Sequence, residues 1–454
     1  MKFLLILWCC KLLARLVNLI DRNRGTNYSG QIAIRLMPNF VAGFKGIDYN
    51  KVVFITGTNG KSTTTNMVCR TLQSAGKSVA CNVEGANMMG GVATVLIKNS
   101  TLGGKLNKEF LVLEVDERSF PGIRKVLPGR HMGITNLEKD QDQRNGDPDL
   151  IYSKFQAAIG KDMTLYLNNE EPRSSALAEQ AGQAVYFSVA PNDRSFAWND
   201  PYALTLPCPR CSHPIRFEDY RLAGIGSFRC TRCGHASQAE PQVRLTEVDF
   251  EAGSFRCGDR LFQVSYTDPF YIYNFALVIA VGRIFGLTDG ELAEALRSFE
   301  NPVSHDQVFH LRGREIRYLQ GKQENPEALQ SELDVIARDP RRKAVAVGMY
   351  KITDFEPHYA GSFYFFDCDF AGIAQGDVAA CVAFSETICY DLAARMIYAG
   401  APAEKVTALD TEEPGPVLEL LEQTDAPVIY ILTNPKHFRG INDYILNHGG
   451  KRDE

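Results

Sequence analysis

The chain has 454 residues, 45% of them hydrophobic and 23% charged, with a net charge of −5 and a pI near 6.0. That length holds roughly two or three domains with ample core material. The negative balance argues against a broad nucleic-acid-binding face, and twelve cysteines, eight of them scattered and none in a secreted disulfide pattern, point to a reducing cytoplasm.

The first stretch, MKFLLILWCCKLLARLVNLI, is apolar but interrupted by Lys11 and Arg15, and no small-residue cleavage site follows. It is neither a signal peptide nor a membrane span. Leu5, Trp8, Leu12, Leu13, Leu16 and Leu19 fall on one helical face. Two readings are open: a helix packed on its own protein, or one lying at the inner face of the membrane.

From Lys51 onward short apolar strands alternate with helical stretches. KVVFITG, KSVACNV, EFLVLEVDE, HMGITNL and MTLYLN read as strands, and KSTTTNMVCRTLQSAG reads as a helix. The alternation predicts a doubly wound α/β domain with a mostly parallel sheet. Between Lys51 and the helix, Gly57-Thr58-Asn59-Gly60-Lys61-Ser62-Thr63 forms a phosphate loop. The glycines let backbone amides turn toward phosphate oxygens. Lys61 supplies a point charge, Ser62 a Mg²⁺ ligand, and the helix N-terminus its dipole.

The stretch from Leu206 to Ser237 holds Cys208, Cys211, Cys230 and Cys233 in two Cys-x-x-Cys pairs. Four thiolates at that spacing make a closed, structural Zn²⁺ site with no open position for catalysis. His213 and His235 are neighbouring alternatives as ligands. EVDFEAGSFRCGDRLFQVSY then reads as a β-hairpin region and YNFALVIAVGRIFG as a helix. The organisation expected is an N-terminal helical segment over 1–50, a central domain over 51–300 carrying the ribbon at 206–237, and a second, Rossmann-like α/β domain over 301–454. In that last domain EIRYLQ, KAVAVGMY, SFYFFDCDF, VAACVAFS, KVTAL and PVIYILT are the strand candidates, with PEALQSELDVIARD a helix.

The loop G-T-N-G-K-S-T resembles that of Mur ligases and folylpolyglutamate synthases. Further pieces follow in Mur-ligase order: Glu114 of FLVLEVDE, Asn136 and Asp140 of TNLEKD, Lys154 of IYSKF, Asn168 of LNNEEP and Asn274 of FYIYNFALVIA. A Mur-type central domain with an inserted Cys₄ ribbon and a divergent last domain resembles the MurT family, the ATP-dependent subunits of lipid II isoglutaminyl synthase. The resemblance implies ATP, Mg²⁺ and structural Zn²⁺, a lipid II substrate, a GatD-type glutaminase partner and no nucleic acid. It implies amidation of the D-glutamate α-carboxylate of lipid II in peptidoglycan synthesis. By the same resemblance Gly57, Thr58, Asn59, Gly60, Lys61, Ser62, Thr63, Asn136, Lys154 and Asn274 contact nucleotide. Ser62 and Glu114 hold Mg²⁺, Lys154 is carbamylated in many Mur ligases, and Lys61 and Glu114 serve catalysis.

This chain also departs from the family. Gln143 stands where the second aspartate of the TNLxxD segment falls. VSHDQVF replaces an arginine-containing nucleotide contact; two readings are open, His305 or Asp306 as its substitute, or a hinge loop. Gly361 occupies the first acidic position of the family's partner-completing stretch, so either Asp367 or, by spacing, Asp354 takes the aspartate's role, or this chain has lost it. A stand-alone Mur-type ligase using an amino acid or free ammonia is the competing reading. A zinc-ribbon NTPase on nucleic acid, with Arg210, Arg216, Arg221, Arg229 and Arg232 beside the ribbon, is the weaker one.

Overall fold

The structure is a computed structural model that describes residues 1–20, 27–82, 86–139, 147–197, 206–222, 224–265, 269–299, 306–321, 325–349, 361–386 and 388–453. The chain divides into two compact units, one of Met1–Glu138 with Pro148–Glu300, the other of Lys139–Asp147 with Asn301–Glu454.

The first unit is built on nine strands. In chain order they are β1 (Val52–Thr56), β2 (Val79–Cys81), β3 (Phe110–Glu114), β4 (His131–Ile134), β5 (Thr164–Asn168), β6 (Gln183–Val189) and, after the two-stranded ribbon of β7 (Ile215–Phe217) and β8 (Phe228–Cys230), β9 (Val243–Asp249), β10 (Ser254–Cys257) and β11 (Arg260–Gln263). The sheet runs β11-β10-β9-β6-β5-β4-β1-β3-β2. Every neighbouring pair from β2 to β9 is parallel, and β10 and β11 add an antiparallel edge. β1 and β3 are buried at every position. This is why they read as unbroken apolar runs: a parallel strand covered on both faces has no polar side.

Helices cover both faces. Lys2–Ile20, Met89–Lys98 and Pro148–Ala158 pack on one, around Leu7, Leu96 and Phe155. Lys61–Ser74, Pro269–Ile284 and Asp289–Arg297 pack on the other, around Met67, Leu277 and Leu292. The helix Pro269–Ile284 is buried at each residue from Phe275 to Val281, as its all-round apolarity requires.

The opening helix turns its expected face outward. Leu5, Trp8 and Leu12 are exposed, while Ile6, Leu7, Cys10 and Ala14 enter the core and Phe3 packs against the rings of Phe40 and Phe44. A helix apolar on nearly all sides offers two stripes at the same period, and here the stripe of Ile6, Leu7, Cys10 and Ala14 faces in. Leu16 and Leu19 lie where side chains are outside the description. Of the cysteines beyond the ribbon, Cys9 is exposed and the rest are buried or half-buried.

The second unit holds β12 (Asp306–Leu311), β13 (Arg314–Gln320), β14 (Lys343–Gly348), β15 (Val378–Phe384), β16 (Val406–Leu409), β17 (Val428–Thr433) and β18 (Lys451–Arg452), in the order β16-β15-β14-β17-β13-β12-β18. The five from β16 to β13 are parallel; β12 and β18 pair antiparallel at the edge. Helices Pro326–Arg338 and Cys389–Tyr398 fill one face and Pro414–Glu422 and Pro435–Asn447 the other. The run SFYFFDCDF is not a strand. Gly361–Asp367 forms a 3₁₀ helix that buries Tyr364 and Phe365 and exposes Phe366 and Asp367. The start of the VSHDQVF segment, including His305, and Asp354 lie outside the described residues; Asp306 begins β12, and its side chain is not described.

Candidate functional site: a phosphate loop and a four-cysteine ribbon

β1 ends at Thr56 and the helix Lys61–Ser74 begins five residues later, leaving Gly57–Gly60 to reverse the chain. Gly57 has φ +125° and Gly60 φ +79°. Neither has room for a side chain. A Cβ at residue 57 would lie 2.2 Å from Thr135 Oγ1, and one at residue 60 would lie 2.4 Å from Asn274 Oδ1. Glycine is therefore required twice over, by backbone sign and by close approach.

The strand end of β4 staples this loop. The Thr58 amide donates to the Asn136 carbonyl (2.9 Å) and the Asn59 amide to Asn136 Oδ1 (2.8 Å). Thr135 Oγ1 donates to the Asn59 carbonyl (2.6 Å), and Asn59 Nδ2 to Glu138 Oε2 (2.7 Å). Asn136 thus fixes the loop's shape. Thr135 and Glu138, which the motif reading passed over, do so with it.

Lys61 folds back over the loop. Its ammonium donates to the carbonyls of Gly57 and Thr58 and pairs with Glu117 Oε1 at 2.8 Å. Burial pushes the Glu117 carboxyl above its ordinary range, opposed by Lys61. Glu117 lies three residues past the expected Glu114; its pairing depends on β3 lying beside β1, which no local pattern reveals.

Glu114 is the last residue of β3, in register with Ile55 of β1. Its Oε1 accepts from Asn87 Nδ2 (3.0 Å), and its backbone is clamped by Asn82. Oε2 is buried with no hydrogen-bond partner. An orphaned buried carboxylate oxygen is costly unless something completes it, and a hard cation with oxygen ligands fits that position. Ser62 is exposed at the start of the helix and Thr63 half-buried beside it. Asn274 is buried next to Gly60. Lys154 is half-buried on the helix Pro148–Ala158. Asn168 ends β5 fully buried, its amide donating to the Thr135 carbonyl (3.4 Å). Asp140 and Gln143 lie outside the described residues.

In the second unit Asp367 is exposed and pairs with Lys139 at 2.6 Å.

The ribbon brings its four cysteines together. Cys208 Sγ lies 3.6 Å from Cys233 Sγ, Cys211 Sγ lies 3.5 Å from Cys230 Sγ, and all four sulfurs are within 4.8 Å of one another. A tetrahedron with Zn–S bonds of about 2.3 Å has edges of about 3.8 Å, so the cage fits that ion. The residue after each pair turns left-handed, Ser212 at φ +60° and Gly234 at φ +74°, which curls each knuckle around the sulfurs. Burial would raise the Cys230 thiol, but the Arg232 and Cys233 amides aimed at its sulfur bring it down to about 6. The histidines do other work. His213 Nδ1 meets the Cys211 carbonyl, and buried His235 Nε2 meets the Pro172 carbonyl at 2.9 Å, docking the ribbon on the turn after β5. Gln238 and Gly226 bond to Asn169 and Glu170 of the same turn. The ribbon's own core is Cys208, Ile215, Phe228 and Cys230, too small to fold without a staple. Two of the ribbon's arginines are taken up by acids, Arg210 by Glu179 and Arg221 by Asp219.

A doubly wound parallel sheet, a G-T-N-G-K-S loop at its carboxyl edge and a second parallel α/β unit make up a Mur-ligase-like fold. The structure of a pseudomurein peptide ligase type C from Methanothermus fervidus shares the fold, with a TM-score of 0.66 and 16% identity over 90% of this chain and 81% of that one. The sequence comparison narrows the branch: residues 323–435 match the MurT ligase C-terminal family. The lipid II isoglutaminyl synthase (glutamine-hydrolyzing) subunit MurT of Staphylococcus aureus is 25% identical over 83% of this chain and 84% of its own. That of Streptococcus pneumoniae is 26% identical over 90% of each. The chain thus has the Mur-ligase fold and is similar to MurT subunits over most of its length.

Proposed function

We propose that this protein is the ATP-dependent subunit of a lipid II-amidating ligase. The likeness to MurT subunits over more than four-fifths of the chain, together with a phosphate loop held rigid beside the unpartnered Glu114 oxygen, carries the reading.

In this reading a carboxylate oxygen of the stem-peptide D-glutamate attacks the γ-phosphorus of ATP. ADP leaves and an acyl phosphate forms. Ammonia then attacks the acyl carbon, phosphate leaves, and the carboxylate has become a primary amide. Amides of Gly60–Thr63 and the Lys61 ammonium bind the nucleotide phosphates and offset charge on the moving phosphoryl group. Lys61 must first loosen from the loop carbonyls it occupies. Asn136 holds the loop's shape, and Asn274, against Gly60, is placed to meet the nucleotide. Ser62 and Glu114 would hold Mg²⁺, which neutralises phosphate charge when bound; Lys154, if carbamylated, would add a further anion. Four cysteines would hold Zn²⁺ as a structural staple. A glutaminase partner supplies ammonia, with Asp367 the candidate residue toward it. Work at the inner face of the membrane follows from a lipid-linked substrate.

The acyl phosphate is tested with substrate labelled with ¹⁸O in the D-glutamate carboxylate. Transfer of label to inorganic phosphate is the expected result. Amide formed with unlabelled phosphate would overturn the mechanism.

A further inference from the structure

The opening helix has a second, unpartnered face. Leu5 is 57% exposed, Trp8 48% and Leu12 61%, in one stripe at helical spacing. Leu102, 66% exposed, extends the stripe from the neighbouring loop. The helix and this loop are fastened together. The Trp8 indole N–H donates to the Leu102 carbonyl (2.9 Å), and the Lys11 ammonium donates to the carbonyls of Ile97 and Ser100. Phe3 packs over Gly104, and the Lys45 amide bonds to the Gly104 carbonyl (2.9 Å). The apolar stripe is therefore carried on a rigid platform.

The segments around it are basic. Lys2, Arg15, Lys45, Lys98 and Lys105 are all exposed. Neither residues 1–20 nor residues 88–108 contain an aspartate or glutamate, although the whole chain is net negative. A leucine and tryptophan stripe on segments that carry exposed cations and no acids suits the boundary of a bilayer with anionic headgroups, where acyl chains take the apolar groups and phosphates the cations. Tryptophan is well placed there because its ring is apolar while its N–H is already satisfied. Among the described residues no helix is long and apolar enough to cross a membrane.

We infer that the face formed by Leu5, Trp8, Leu12 and Leu102 docks on an anionic phospholipid surface, the helix lying in the interface. This stands on the surface itself and not on the ligase reading.

The test is sedimentation of the full chain with vesicles of phosphatidylcholine alone or mixed with phosphatidylglycerol. The protein should pellet with the anionic vesicles and lose this at high salt. Leu5→Gln/Leu12→Gln should weaken binding about tenfold, and Lys2→Glu/Arg15→Glu should weaken it on anionic vesicles. The substituted side chains are exposed, and unchanged thermal melting confirms folding. In a Trp198→Phe background Trp8 is the only tryptophan, and its emission should shift blue with anionic vesicles. Protein left in the supernatant overturns the inference, as does equal pelleting of all variants. Self-association that Leu5→Gln/Leu12→Gln disperses, without vesicle binding, also overturns it and marks the face as a contact between copies.

Discussion

Gly60 and Asn274 approach so closely that a Cβ on residue 60 would stand 2.4 Å from the asparagine's Oδ1. The left-handed turn opening the phosphate-loop helix is thereby pressed against the helix Pro269–Ile284, from a distant part of the sequence. Gly60→Ala should pay about 1–2 kcal/mol for its backbone sign and must displace Asn274 as well. The expected outcome is a folded protein whose ATP affinity falls by more than about tenfold through loss of aligned amides, measured by calorimetric titration beside a thermal melt.

Lys61 has two roles that mutation can separate. It pairs with Glu117, and both side chains are largely buried. Lys61→Ala should destabilise by about 3 kcal/mol because it leaves a buried acid without its cation. Adding Glu117→Gln should restore most of that stability in urea unfolding. It should not restore phosphoryl transfer, since the charge facing phosphate is still missing.

The ribbon predicts a metal-dependent local stability. Removing metal with a strong chelator, or Cys230→Ser, should open residues 206–237 to proteolysis and lower the melting temperature. His235, Gln238 and Gly226 tie the ribbon to Pro172, Asn169 and Glu170, so the disturbance should reach the turn after β5. Limited proteolysis with mass spectrometry reads this directly. Equal protection with and without metal would remove the staple role.

Glu170 gives a pH prediction of unusual sign. It is fully enclosed, and burial raises its carboxyl to about 7, against donation from Ser188 and the Val189 amide. Since the folded value lies above the unfolded one of 4.5, the folded state holds the proton more tightly. Its contribution is fully present below pH 4.5 and is lost as pH rises through 7. Glu170→Gln should flatten that decline, giving a smaller difference in urea-unfolding free energy between pH 5 and pH 8 than the parent shows.

Much of this was legible in the chain. β1, β3, β4 and β5 are buried parallel strands, so their apolar runs announced them, and the loop and the Cys-x-x-Cys pairs carry fixed spacings that survive divergence. What depended on tertiary pairing did not show. Glu117 meets Lys61 only because β3 lies beside β1, and Thr135 meets the loop only through β4. β6, whose exposure partly alternates, has a weaker pattern and gave no signal. The aromatic run at 361–370 suits a strand by composition, yet it coils to bury Tyr364 and Phe365. The opening helix, apolar on two sides, pointed the reading at the face that turned outward.

The central claim is tested most directly by incubating the purified chain with lipid II, ATP and Mg²⁺ and weighing the stem peptide. The nitrogen source is ammonium in one arm, and glutamine with a GatD-type glutaminase in the other. The account predicts a loss of ~1 Da per stem peptide, the change from carboxylic acid to amide, in both arms. It also predicts none with Lys61→Ala, whose phosphoryl stabilisation is gone. Amidation with ammonium alone would contradict the partner assignment at Asp367. An unchanged mass in both arms, with ATP bound, would contradict the claim that lipid II is the acceptor.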